Sequence, residues 1–261
     1  MILPIGDDNS DRSSTPIVNY LLIAVNILVF VFLQGLGTND KFTYAFSTVP
    51  YEIETGRDVA RPVPVTDLTG QTVGNIDLQP TPFSVYLTLI TSMFMHGGIA
   101  HILGNMLFLW IFGDNVEDRM GHARYLIFYL VCGVLASLAH VFTTAAFGAN
   151  QYVPSLGASG AISGVLGGYI LLYPRRQVRV IMFRMLTSVP AYVAIGLWFV
   201  FQLISGLGLL GGAQGDGGVA YAAHVGGFIA GLVLVKFFTI GRSGGGGAGQ
   251  TPGFGYNNRA T

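Results

Sequence analysis

Four polar residues stand in stretches of this sequence that are otherwise apolar: Ser159, His224, His101 and Asn105. Their types suit one piece of chemistry. A serine hydroxyl is a weak nucleophile until an adjacent imidazole accepts its proton. His101 and Asn105 are four residues apart, so on a helix they share a face. There an imidazole and an amide can both donate to an oxygen that is gaining negative charge. Ser159 falls near the start of its apolar stretch, where the free N–H groups of a helix also favour negative charge. No Asp or Glu lies inside these stretches. A serine–histidine pair would therefore be a dyad, with no carboxylate behind the base.

The elements that must position these groups are membrane spans. The chain of 261 residues is 51% hydrophobic and only 10% charged, with mean hydropathy +0.58, which is too little charge for a water-facing surface. Apolar runs near the ~20 residues a bilayer requires occur at 17–34, 93–113, 124–147, 158–173, 185–206 and 219–238, the fourth being short. The first is read as a retained span. It is longer than a signal-peptide core, is flanked only by Arg12, and lacks a nearby small-x-small site. The expected fold is an all-α bundle of six transmembrane helices. A short N-terminal segment, 1–16, precedes the membrane core, 17–238. A proline-rich loop, 35–83, lies between the first two spans, with a short strand over Gln71–Leu78. The tail, 239–261, with Gly244–Gly247 in a row, reads as flexible.

Basic residues set the orientation. With the N-terminus in the cytoplasm, ten lie inside (Arg12, Arg119, Arg124, Arg175, Arg176, Arg179, Arg184, Lys236, Arg242 and Arg259) and three outside (Lys41, Arg57 and Arg61). Both termini are then cytoplasmic. Ser159 lies 16 residues before Arg175, His224 lies 12 before Lys236, and His101 lies 13 before Asp114. At about 1.5 Å per residue these are depths of about 24, 18 and 20 Å. Three polar groups on three helices thus share one level in the outer half of the bilayer. Gly160, Gly164 and Gly168 recur every fourth residue on the fourth span, and Ala223, Gly227 and Gly231 on the sixth. Such stripes let two backbones approach closely in lipid, and Ser159 and His224 border them.

Each residue also has a plainer reading. The Ser159 stretch is compatible with simple helix packing, His224 with a packed histidine, and His101 with Asn105 with interhelical hydrogen bonding. His96 reads as a loop or interface residue, His140 as structural and His122 as a solvated loop residue. His96 and His101 are offset by five residues and lack a third ligand, so no metal is expected, and no cofactor. Cys132 is the only cysteine, which excludes an intramolecular disulfide. Zero net charge gives no electrostatic case for nucleic acid.

The motifs together resemble the rhomboid family of intramembrane serine proteases. The stretch His96-Gly97-Gly98-Ile99-Ala100-His101-Ile102-Leu103-Gly104-Asn105 is similar to that family's second-span motif. Gly157-Ala158-Ser159-Gly160 is similar to its nucleophile motif. Ala223-His224-Val225-Gly226-Gly227, followed by Gly231, is similar to its last-span motif. Gly113-Asp114-Asn115-Val116-Glu117-Asp118-Arg119 is similar to its inner turn. The resemblance covers about 17–34 and 84–238. It implies Ser159 as nucleophile, His224 as base, and an oxyanion hole of His101, Asn105 and Gly157. Gly160, Gly164, Gly227 and Gly231 would pack the helices at the site. Glu117 and Arg119 would tie the inner ends of helices. The implied activity is hydrolysis of peptide bonds in or near the spans of membrane-protein substrates, in a bacterial inner membrane. The sequence departs from some members at Ser163, where an aromatic would stack on the base, so another group must fix the ring of His224. The alternatives are a catalytically inactive relative that binds membrane proteins and a small transporter. The second would call for intramembrane acids or inverted repeats, and neither is visible.

Overall fold

The structure is a computed structural model that describes residues 2–66, 71–148, 150–182, 185–206 and 217–241. The Gly244–Gly247 run and the tail from 242 onward lie outside the described residues, as does the 207–216 segment. In chain order the elements are β1 (Ile2–Asp7), α1 (Ile17–Leu28, continued by a π-helical stretch to Leu33), α2 (Asp40–Ala45), α3 (Pro50–Thr55), β2 (Pro62–Thr66) and β3 (Thr72–Asp77). Then come α4 (Thr88–Thr91, within a run of turns over Val85–Phe94), α5 (Ile99–Met120), α6 (His122–Phe147), α7 (Ser159–Leu172), β4 (Gln177–Met182), β5 (Met185–Pro190), α8 (Ala191–Gly206) and α9 (Gly217–Thr239).

The chain is a mostly helical membrane bundle. Among the described residues, α5, α6 and Tyr221–Thr239 of α9 are long and apolar enough to cross a bilayer. Ile17–Leu33, Val85–Phe94, Ser159–Leu172 and Ala191–Ile204 are shorter apolar helices. Large apolar side chains such as Phe142, Phe147, Leu103 and Phe237 are exposed, which only a lipid surround makes favourable. At the centre is α7, where every residue from Gly160 to Tyr169 is buried. It packs against α5, α6 and α9.

Two elements differ from the pattern read in the sequence. The fifth apolar helix begins at Ala191 and not at 185. Met185–Pro190 is a strand instead, pairing antiparallel with β4, whose other edge takes β1. The alternation of Gln177–Met182 buries Val178 and Val180 completely against the helical core, and a two-residue period of that kind selects a strand. Pro4, Val180 and Thr187 lie in register across the three-stranded sheet. The second helix, in turn, runs on to Met120, so Asp114, Asn115 and Glu117 are buried in its last turns. The Glu117 carboxylate accepts the backbone N–H groups of Val18 and Asn19 at 2.9 and 2.7 Å. It thereby caps α1, which begins at Ile17 after Pro16 and has no side-chain cap of its own. Glu117 also meets His122 Nδ1 at 2.5 Å, so that histidine is bonded and not merely solvated.

The 35–83 loop has a structure of its own. Its hairpin β2–β3 and helix α3 enclose a small core of Val49, Val59, Val63 and Leu78. It is tied to the segment that precedes α7. Thr48 and Ser155 exchange backbone hydrogen bonds of 3.0 and 2.7 Å, and Tyr51 N–H donates to the Gln151 carbonyl at 3.0 Å. Thr48 Oγ1 lies 2.9 Å from both the Thr88 carbonyl and Ser92 Oγ.

Candidate active site

Ser159 is the first residue of α7 and His224 lies in α9. Between them the backbones nearly touch. A Cβ on Gly227 would fall inside the Gly160 carbonyl, and one on Gly231 inside the Gly164 carbonyl. A Cβ on Gly160 would lie 2.7 Å from Ala136 Cβ of α6. One on Gly164 would collide with Cys132 of the same helix. Small residues on three helices therefore set how closely α7 and α9 approach. At that approach Ser159 Oγ is 2.8 Å from His224 Nε2, within the ~2.6–3.2 Å that proton transfer needs.

The other ring nitrogen, His224 Nδ1, lies 2.8 Å from Oε1 of Gln202 on α8. Gln202 is not among the residues singled out in the sequence. Its signal was the one that marked the histidines: a polar side chain in an apolar helix. Position 163 carries no ring, and Ser163 Oγ donates to the Ser159 carbonyl at 2.6 Å. Trp198 and Tyr221 stand at 6.2 Å centroid distance from the His224 ring, tilted and edge-on.

His101 and Asn105 approach from α5. The Gly97 N–H donates to His101 Nδ1 at 3.4 Å, which leaves the proton on Nε2. That Nε2 lies over Gly157: a Cβ there would be 2.8 Å from Nε2 and 3.6 Å from Ser159 Oγ. Gly157 also holds φ at +124°, a conformation open to glycine. Its N–H donates to the Ser92 carbonyl at 2.9 Å. In this arrangement Gly157 makes room for the His101 ring. Asn105 is 8% exposed, and its Nδ2 has no protein partner among the described residues. His96 lies in the loop before α5, one of its two readings, and is fully buried, 5.2 Å from the His101 ring. His140 is buried in α6.

Beside Ser159 a cavity of ≈ 30 Å³ is lined in part by Ser92, Gly133, Ser137 and Ser155. That is room enough to admit water. Among the described residues no three His, Cys, Asp or Glu side chains converge as a metal site would require.

A family model described as the Rhomboid domain matches residues 84–240. The chain is 32% identical over 209 residues to the Rhomboid protease GluP of Bacillus subtilis, covering 78% of this chain and 34% of that protein. It is 31% identical to the mitochondrial Rhomboid protein 1 of Saccharomyces cerevisiae, covering 56% of this chain and 40% of that protein. It is 28% identical to the mitochondrial presenilin-associated rhomboid-like protein of Homo sapiens, covering 57% of this chain and 37% of that protein. The chain thus spans about a third to two-fifths of the length of these relatives.

Proposed function

The chain belongs to the rhomboid family, and from that membership and the contacts around Ser159 we propose that it is an intramembrane serine endopeptidase. Ser159 Oγ attacks the carbonyl carbon of a peptide bond while His224 Nε2 takes its proton. The ring later returns that proton to the leaving amine. The tetrahedral oxygen is met by Asn105 Nδ2 and His101 Nε2–H. The observation that carries the reading is the 2.8 Å contact between Ser159 Oγ and His224 Nε2. The unpartnered Asn105 amide supports it, because a buried donor without a partner is costly unless a ligand uses it.

The substrate is a membrane protein whose span is locally weak near the level of Ser159. A stable helix hides its peptide bonds in i to i−4 hydrogen bonds, so the scissile segment must unwind, which Gly, Ser or Pro nearby favours. Water reaches the acyl-enzyme through a polar cavity, the only way lipid allows. The basic-residue count puts both termini in the cytoplasm and the Ser159 end of α7 outside. The compartment proposed is a bacterial inner membrane.

The test is covalent labelling by a fluorophosphonate. Ser159 is expected to be the labelled residue. Ser159→Ala abolishes labelling and His224→Ala lowers it sharply, with reporter cleavage following in proteoliposomes. Unchanged labelling of Ser159→Ala overturns the nucleophile assignment. A wild-type protein that takes no label and cleaves no reporter is the mark of the inactive, membrane-protein-binding alternative.

A further inference from the structure

A histidine base needs two things fixed: the plane of its ring and the nitrogen that carries its proton. In a serine–histidine–aspartate triad the carboxylate does both. Here no aromatic from α7 stacks on the ring, since position 163 is serine and its hydroxyl is committed to the Ser159 carbonyl. Trp198 and Tyr221 are too far, at 6.2 Å, for close stacking. One directional contact remains, Gln202 Oε1 at 2.8 Å from Nδ1. Gln202 is 7% exposed and lies one helical turn after Trp198 on the same face of α8.

We infer that Gln202 is the positioning residue for the base: its side-chain carbonyl selects the Nδ1–H tautomer of His224 and steadies the imidazolium formed when the ring takes the Ser159 proton. This deepens the dyad reading and rests on it. A carbonyl oxygen accepts and cannot donate, so the contact holds the ring proton on Nδ1. The Nε2 lone pair then faces the Ser159 hydroxyl. When Oγ forms its bond to the substrate carbon, the hydroxyl proton moves to Nε2 and the ring becomes cationic. The Nδ1–H···O=C bond is then charge-assisted and stronger than in the resting state, which is the differential that speeds a reaction. The opposite amide orientation would set an N–H against Nδ1 and drive the ring proton onto Nε2. The hydroxyl would then face a donor and could not be deprotonated. An amide also suits the location: a carboxylate in the middle of an apolar helix is far more costly to hold in lipid. The membrane thus favours a neutral acceptor where a water-soluble enzyme can use an acid.

The plainer role for a buried glutamine between α8 and α9 is interhelical adhesion, and the test must separate the two. The full chain is labelled with 15N-histidine in detergent micelles, with His224→Ala to assign the ring signals. Fluorophosphonate labelling of Ser159 is timed in the same samples, and reporter cleavage gives kcat and KM. The wild-type ring is expected to be the Nδ1–H tautomer. In Q202L that preference is lost, and labelling and kcat fall about 10–100-fold, the scale of one hydrogen bond that strengthens in the transition state. KM stays within about twofold. Should Q202L not fold, Q202M takes its place as the flexible apolar replacement. Wild-type labelling rate and an unchanged tautomer in a folded Q202L or Q202M overturn the assignment, as does an Nε2–H tautomer in the wild type. Failure of the dyad itself reads differently: the wild type then takes no label at Ser159, whatever stands at 202.

Discussion

The two ends of α7 are both polar, and they differ in how far their hydrogen bonds are satisfied. At the arginine-rich end, Tyr169 O–H donates to Asp7 at 2.6 Å and Asn115 Nδ2 donates to the same carboxylate at 2.8 Å. Arg176 reaches Asn115, the Asp8 carbonyl and Asp11, and stacks over the Tyr173 ring. Arg12 holds Asp114 at 2.7 Å. This cluster joins β1 to the ends of α5 and α7. At the other end Ser159, His224 and Gln202 form a single file of contacts, and beside it the buried Asn105 Nδ2 has no partner among the described residues. A saturated polar cluster specifies one arrangement of the chain. A buried donor without a partner adds nothing to the fold, and on the proposed reading it serves the oxyanion. The first end should therefore govern stability and the second activity, and substitutions can separate them.

The largest loss is expected from Gly227→Val. A Cβ at 227 would fall inside the Gly160 carbonyl, one residue from Ser159. The two helices must separate to accept a branched side chain, and a displacement of about 1 Å can cost on the order of 10²-fold in rate. Cleavage is expected to vanish in protein that still folds. Gly226→Ala, by sequence position the milder partner, is no control here, because its Cβ would collide with Ala139 of α6. Gly104→Ala serves instead, since nothing lies within 4 Å of the added carbon. Reporter cleavage in proteoliposomes, with thermal unfolding alongside, decides: a folded Gly227→Val protein at wild-type rate would remove close glycine packing from the account of the site.

Asn105→Leu comes next and separates the ends more sharply. Losing one oxyanion donor typically costs ~10²–10³ in turnover. Yet replacing a buried, unpartnered amide by an apolar group of similar size is neutral or stabilising. Activity is expected to fall while the melting temperature holds or rises. A variant that loses stability in step with activity would show that Asn105 is bonded in the fold and not held in reserve.

What could be read in advance follows from the range over which each feature is encoded. The apolar helices are local: runs such as Ala191–Ile204, and alanine- and glycine-rich ones bounded by Arg175 or Lys236, declare themselves. The β1–β4–β5 sheet is not local. Ile2–Asp7 is six residues long and pairs with Gln177–Met182, far away in the chain. Met185–Pro190 is apolar enough to merge with the helix that follows it. The acids after Gly113 read as a turn because charge usually ends a span. In the fold they are helical, since Arg12, His122 and the start of α1 supply their partners. Ser159, His101, Asn105 and His224 stand out by residue type. Gln202, the partner of Nδ1, carries the same signal of type, but no spacing or stripe ties it to His224.

The smallest effect on turnover is expected at the saturated end. Burial pushes the carboxyl of Asp7 up to about 7, the nearby Asp114 adding to the rise, while the hydrogen bonds from Tyr169 and Asn115 and the charge of Arg176 oppose it. The ordinary value is near 3.8, so between about pH 4 and 7 the folded chain holds a proton that the unfolded chain has released. A state that binds more protons gains as pH falls. The folded chain is therefore most stable below about pH 4 with respect to this group, and that contribution is lost as pH rises through about 7. Each tenfold change in proton affinity is worth ~1.4 kcal/mol, so the contribution amounts to a few kcal/mol. Asp7→Asn keeps an oxygen for the Tyr169 and Asn115 donors and removes the charge. Its melting temperature is expected to exceed that of the wild type at pH 8, to match it more nearly at pH 5, and to vary less between them. Its kcat should stay within about twofold, because the groups at Ser159 lie at the far end of α7. Thermal unfolding of both proteins across pH 5–8 checks it. If Asp7→Asn were the less stable protein at pH 8, Arg176 would be holding Asp7 as a carboxylate, and the cluster would be an ion pair in place of a protonated latch.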